Sequence, residues 1–341
     1  MSTAADDARR SFFSLTPDRV LDAVEGGGRR ATGYALARNS LENRVYEVEF
    51  EDGQRLVAKF YRPGRWSGDA ILDEHAFLAE LAAEEVPVVP PIDLRLGLGA
   101  GSGGPGSTLG ELPGNIFYAL FPKVRGRVPQ ELSDGELAQL GRLVARLHNV
   151  GGTRPAPHRP TLTPATYGTA SLAILVGEAH GGPWVPMEFA SRYVRAVEEI
   201  VRLAAAAWGS VQPIRLHGDC HLGNLLWGTS GPFFLDFDDF LAGPEVQDLW
   251  LIAPGHDEEA LRQRALLADA YSTMRRFDTR SLRLVESLRA LRIIRYSAWI
   301  AQRWQDPAFQ RTFPDFPEHR YWQNEVRLVE EQVDRVRASL A

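Results

Sequence analysis

The stretch RLHGDCHLGNLLW, from Arg215 to Trp227, crowds His217, Asp219, Cys220, His221 and Asn224 between apolar flanks. Three chemistries are open to such a run: a metal site, a phosphate-transfer loop, or a polar turn. Phosphoryl transfer asks the protein for little covalent chemistry. It needs a carboxylate to orient the attacking hydroxyl, oxygen ligands for magnesium, and a cation on the nucleotide phosphates. Asp219 and Asn224, with four residues between them, supply the first two, and Asp236 follows at the end of the apolar run Phe233, Phe234, Leu235. A side-chain amide and a carboxylate suit magnesium, a hard cation that prefers oxygen. Asp219 is expected to be ionised near neutral pH, so it would align the hydroxyl and collect its proton late.

Each of these residues has a plainer reading. Asp219 with Asn224 fits an Asx-rich turn. His217, Cys220 and His221 offer a zinc site, but the intervening Gly218 and Asp219 break a helix and no distant ligand set is evident. His217 is expected beneath the loop, holding its backbone, with Cys220 a buried spectator. Asp248, in VQDLW, reads as a brace for the loop. Asp238 and Asp239 are placed to assist the metal, with one of them expected to cap or hydrogen-bond the adjacent loop. Arg289, Arg292 and Arg295 either clamp an acidic substrate or form a solvated face.

Two kinds of region must position these groups. From Gly33 to Tyr61 the β-formers Val45, Tyr46, Val48 and Phe50 and the Asp52-Gly53 turn predict three antiparallel strands. Ile71, Leu72, His75, Leu78 and Leu81 recur at helical spacing until VPVVPP ends the run, and NIFYALFPKV resumes as a strand. The glycine-rich residues 97–110 lack the lysine and helix of a P-loop and read as a loop, and Gly26 to Gly28 as a lead-in. After Gly126 the pattern turns helical, opening with the capping box Ser133 and Glu136 and the face Leu137, Leu140, Val144 and Leu147. The expected architecture is α+β, with a sheet-rich lobe over residues 1–122 and a larger helical lobe over 123–341.

A chain of 341 residues with 44% hydrophobic content can bury such a core. The formal net charge of −6 gives no basic field for nucleic acid or an anionic membrane. A single cysteine excludes an intrachain disulfide, and the acidic start and the lack of about 18 uninterrupted apolar residues argue against a signal or a membrane span. A cytoplasmic monomer is expected.

HGD and LDFDD are variants that resemble the aminoglycoside-phosphotransferase-like branch of the protein-kinase-like superfamily. The blocks NSLENRVYEVE, VAKFYRPGRW, ILDEHAFLAEL, VPVVPP, LHGDCHLGNLLW, GPEVQDLW and RYSAWIAQRWQDPAF, spread over about residues 30–325, are similar to bacterial serine/threonine protein kinases of that branch that act in stress response. The resemblance implies a bilobal kinase-like fold that transfers the ATP γ-phosphate to a protein hydroxyl, with autophosphorylation as a further use of the site. By position it implies Asp219 as catalytic base, Asn224 as magnesium ligand, and Asp236 as both metal ligand and active-site acid. Lys59 would contact the α- and β-phosphates, Glu74 is the candidate for its ion-pair partner with Asp73 and Glu80 as neighbouring acids, and Ser40 in RNSLENR takes the ATP-contact position. The usual glycine-rich nucleotide loop is missing there, although a hydroxyl and backbone N–H groups can hold phosphate. The residues alone leave two alternatives open: a kinase for a small alcohol such as an aminoglycoside, choline or homoserine, and a nucleotide-binding regulator without turnover.

Overall fold

The computed structural model describes residues 12–13, 15–26, 28–94, 108–209, 211–229 and 231–341. The chain forms two compact units. The first takes in the described residues up to Glu136 together with Asn149–Arg159 and Asp219–Phe240; the second comprises Leu137–His148, Pro160–Gly218 and Leu241–Ala341.

In the first unit, β1 (Ala31–Arg38), β2 (Arg44–Phe50), β3 (Arg55–Phe60), β4 (Gly110–Leu112) and β5 (Ile116–Pro122) build one antiparallel sheet in the order β1-β2-β3-β5-β4. Alternation divides its faces. Tyr46, Val48 and Phe50 of β2 and Leu56, Ala58 and Phe60 of β3 pack with Val20, Ala23 and Val24 of helix α1 (Pro17–Glu25). The opposite face carries Val45, Glu47, Val57 and Lys59. Gly53 closes the β2–β3 turn at φ 79°, where a side chain would be strained. Helix α2 (Gly68–Ala83) starts on Ser67, whose Oγ accepts the Ala70 N–H at 3.1 Å. The sequence pattern did not announce α1 or β4. Most of the glycine-rich segment lies outside the described residues, as does Gly27.

The predicted capping box forms at the start of α3 (Asp134–Gly151): Ser133 N–H donates to Glu136 at 2.8 Å, and Glu136 N–H donates to Ser133 Oγ at 3.4 Å. In the second unit, α4 (Ala170–Val176) and α5 (Met187–Trp208) precede the short strand β6 (Ile214–Leu216), which in that unit pairs with β9 (Leu241–Gly243). The hairpin β7 (Leu225–Gly228) and β8 (Gly231–Phe234), between them in sequence, belongs to the first unit. Helices α6 (Val246–Ile252), α7 (Glu258–Ser272), α8 (Val285–Gln302), α9 (Pro307–Thr312) and α10 (His319–Leu340) complete the chain.

Helices α4, α5, α8 and α10 share an apolar core that includes Tyr193, Ile200, Leu291, Ile294, Trp322 and Val326. Glu325 is buried in it, accepting a 2.8 Å hydrogen bond from Ser297 Oγ, which is 2.9 Å from the Tyr321 hydroxyl. Burial pushes the Glu325 carboxyl up to about 7. No described helix is long and apolar enough to cross a membrane.

Candidate phosphotransfer site

Strand β3 is central, and the register aligns Val45, Lys59 and Ala119 across three strands. Lys59 therefore projects from the face opposite the α1-packed core, and it is only 8% exposed. An ordinary edge-strand lysine would be solvated; this one is enclosed by acids. Its Nζ lies 3.3 Å from Glu74, 3.4 Å from Asp236, 3.2 Å from Asp238 and 4.7 Å from the Tyr61 ring centroid. Burial opposes the charge, but the carboxylates of Asp238 and Glu74 outweigh it and hold the Lys59 pKa well above its ordinary value. Burial likewise raises Glu74, while Lys59 pulls it back. The neighbouring acids are used elsewhere: Asp73 accepts from His158 N–H at 2.9 Å, and Glu80 meets Arg154 at 2.6 Å.

Asp219 follows a turn that only glycine accommodates without strain, with Gly218 at φ 83°. In the second unit, fully buried Asp248 accepts the N–H groups of His217 at 2.9 Å and Gly218 at 2.8 Å, and contacts His148 Nε2 at 3.0 Å. His148 Nδ1 is 3.0 Å from the Tyr271 hydroxyl. His148 thus bridges Asp248 Oδ2 and the Tyr271 hydroxyl through its two ring nitrogens. Gln247 Nε2 donates to Gly218 O at 3.0 Å. The backbone entering Asp219 is thus fixed on both its donors and its acceptor.

Beyond Asp219, a 3₁₀ turn at Leu222–Asn224 folds Asn224 back, so that its Nδ2 donates to Asp219 O at 2.9 Å and lies 3.3 Å from Asp219 Oδ2. The β7–β8 register pairs Leu225 with Phe234. One step further, Leu235 N–H donates to Asn224 O at 2.9 Å. This ladder brings Asn224 and Asp236 to the same end of the hairpin. Asp236 adopts the left-handed conformation at φ 57°, ψ 67°, which turns it out of the strand path. The group fits a hard divalent cation. Asn224 spends its amide nitrogen on Asp219 and keeps a carboxamide oxygen, while Asp236, 58% exposed, adds a carboxylate. Magnesium characteristically takes one or two such ligands and completes its shell with phosphate and water.

Ser40 lies in the β1–β2 loop and accepts the Asn43 N–H at 3.3 Å. Sequence reasoning passed over Asn43, whose Nδ2 donates to Asp238 Oδ2 at 3.1 Å and whose Oδ1 accepts the Arg62 N–H at 3.2 Å. It also undervalued Asp238, which is 2% exposed and bonded to Arg65 as well as Lys59. Burial penalises the Asp238 charge, but Arg65, Lys59 and Arg159 overcome this and lower its pKa below the usual carboxylate range. Asp238 is a buried counter-ion, and Asp239 also pairs with Arg65. Arg65 was visible in VAKFYRPGRW, but a charged loop residue carries no signal of its destination.

His217 and Cys220 are fully buried, whereas His221 reaches towards Asp219, with Nε2 3.4 Å from Oδ2. Among the described residues no group of three or more His, Cys, Asp or Glu side chains has metal-holding geometry. Arg289 pairs with Glu286 at 3.4 Å and covers Trp250 at 4.9 Å. Arg295 lies 5.8 Å from the Tyr167 ring.

Residues 35–285 match the family model described as "Phosphotransferase enzyme family". Stress response kinase A of Escherichia coli strain K12 is 36% identical over 323 residues, 94% of each chain. Serine/threonine protein kinase RdoA of Salmonella typhimurium is 36% identical over 328 residues, 96% of this chain and 95% of its own. Among solved structures, amicoumacin kinase hAmiN in complex with AMP-PNP, Ca2+ and Ami shares the fold with a TM-score of 0.62 at 16% identity, over 83% of this chain and 86% of that one. The match over most of the sequence, together with this kinase-like fold, means that the chain belongs to the phosphotransferase enzyme family.

Proposed function

We propose that this enzyme is an ATP- and magnesium-dependent serine/threonine protein kinase acting in stress response. The observation that carries the reading is the Lys59 ammonium 3.4 Å from Asp236, in the same unit as Asp219 and Asn224. Lys59, held by Glu74, binds the α- and β-phosphates, and Ser40 with its loop contacts the nucleotide. Asn224 and Asp236 hold the magnesium ion, which when bound neutralises charge on the phosphates. Asp219 orients the acceptor hydroxyl and takes its proton. The terminal phosphorus–oxygen bond of ATP breaks as the bond to the acceptor oxygen forms, leaving ADP. On this reading residues 1–122 are the nucleotide lobe and 123–341 the catalytic and acceptor lobe of a cytoplasmic monomer.

A protein acceptor is favoured by the name of one relative at 36% identity, serine/threonine protein kinase RdoA, against 16% for the small-molecule kinase. A kinase for a small alcohol is the second reading, drawn from that fold neighbour. Purified enzyme with γ-labelled ATP, magnesium and a cell extract separates them: label is expected in protein, and label confined to a low-molecular-weight alcohol overturns the protein assignment. Asp219→Ala is expected to bind nucleotide but transfer nothing. Absence of turnover in the intact enzyme would favour a regulator.

A further inference from the structure

We infer that His221 is a positioning residue for Asp219, and that Gly223 is there to seat it; this rests on Asp219 being the base of the phosphotransfer reaction. Gly223 N–H donates to His221 Nδ1 at 2.9 Å, so in the neutral ring Nδ1 is the acceptor and the proton resides on Nε2. Nε2 faces Asp219 Oδ2 at 3.4 Å. Asn224 Nδ2 approaches the same oxygen at 3.3 Å. The Asn224 amide, a hydrogen-bond donor, and the His221 ring, at ion-pair distance, therefore converge on Oδ2 from one short loop. They fix the rotation of the carboxylate. The same ring is why position 223 carries no side chain. A Cβ there would lie 2.7 Å from His221 Cε1 and 2.9 Å from Nδ1, closer than real contacts allow. The histidine also caps the 3₁₀ turn that delivers Asn224, so one side chain times the geometry of two neighbours.

The test combines spectroscopy with kinetics on the full chain. In ¹⁵N-histidine-labelled protein, with the His221 signal assigned from its loss in His221→Leu, the Nε2–H tautomer is expected, with a shift that changes in Asp219→Asn. A Nδ1–H tautomer, or a signal indifferent to Asp219→Asn, overturns the inference whether or not the protein turns over ATP. In assays with γ-labelled ATP and casein as acceptor, or label on the enzyme itself, His221→Leu and Gly223→Ala should each lower kcat about tenfold, the scale of one charge-assisted hydrogen bond. KM for ATP should be unchanged. His221→Gln, which keeps an N–H donor, should recover most of the loss. Equal kcat in His221→Leu and the parent refutes the positioning role. If the parent shows no transfer, the phosphotransfer reading fails, while the tautomer result still decides the geometry.

Discussion

Replacing Glu325 by glutamine tests how the helical unit tolerates an acid in its core. The carboxyl is 8% exposed, among the aromatic rings and aliphatic chains of three helices, and its pKa is pushed from 4.5 to about 7. The sign follows from linkage. A folded-state pKa above the unfolded one means that the native state binds the proton more tightly, so stability is fullest below about 4.5 and declines as pH rises to about 7. Above that, both states are ionised and the loss is complete. A change from 4.5 to about 7 corresponds to roughly 3 kcal/mol. Glutamine keeps an oxygen for the Ser297 hydroxyl but cannot ionise. Urea denaturation from pH 5 to pH 8 should therefore show the intact protein losing stability relative to Glu325→Gln, with the gap growing by about 2–3 kcal/mol. A stability difference that stays constant across this range would refute the reasoning, because it would mean that the carboxyl keeps its ordinary affinity for protons.

Asp238→Asn removes the carboxylate shared by Lys59 and Arg65 and should destabilise the first unit by about 3–5 kcal/mol, measured by thermal denaturation. Lys59→Met should raise KM for ATP and cut kcat at least tenfold in a labelled-ATP assay, since on the proposed reading a cation on the phosphates is lost. Asp248→Asn supplies one acceptor oxygen where two backbone N–H groups now find two. It should lower kcat by about tenfold or more while nucleotide binding, followed by calorimetry, changes little.

Much of this architecture was legible because period and spacing are local. The alternation through Val45, Tyr46, Val48 and Phe50 marks a strand, and Asp219, Asn224 and Asp236 are close enough in sequence to be read as one loop and its sequel. Longer-range partners were not legible. Asp238 and Arg65 are separated by 173 positions, and nothing in either neighbourhood says that they meet. Helix α1 is short, with only Val20, Ala23 and Val24 buried, and β4 spans three residues, so neither offers enough periods to register. In the sequence His221 reads as a metal ligand because a histidine four residues from another fits that pattern. What sets its actual contact is the 3₁₀ turn, which spacing alone does not reveal.

The hairpin that joins Asn224 to Asp236 imposes a rule on how related chains can change length. Strand pairing alternates with a period of two, so a single residue added between Leu225 and Phe234 within the ladder would turn one of the two oxygens to the wrong side. Added length beyond the last pair, Gly228 with Gly231, would leave the register of the ladder unchanged. The segment between that outer end and the two oxygens keeps a fixed length, like a ruler.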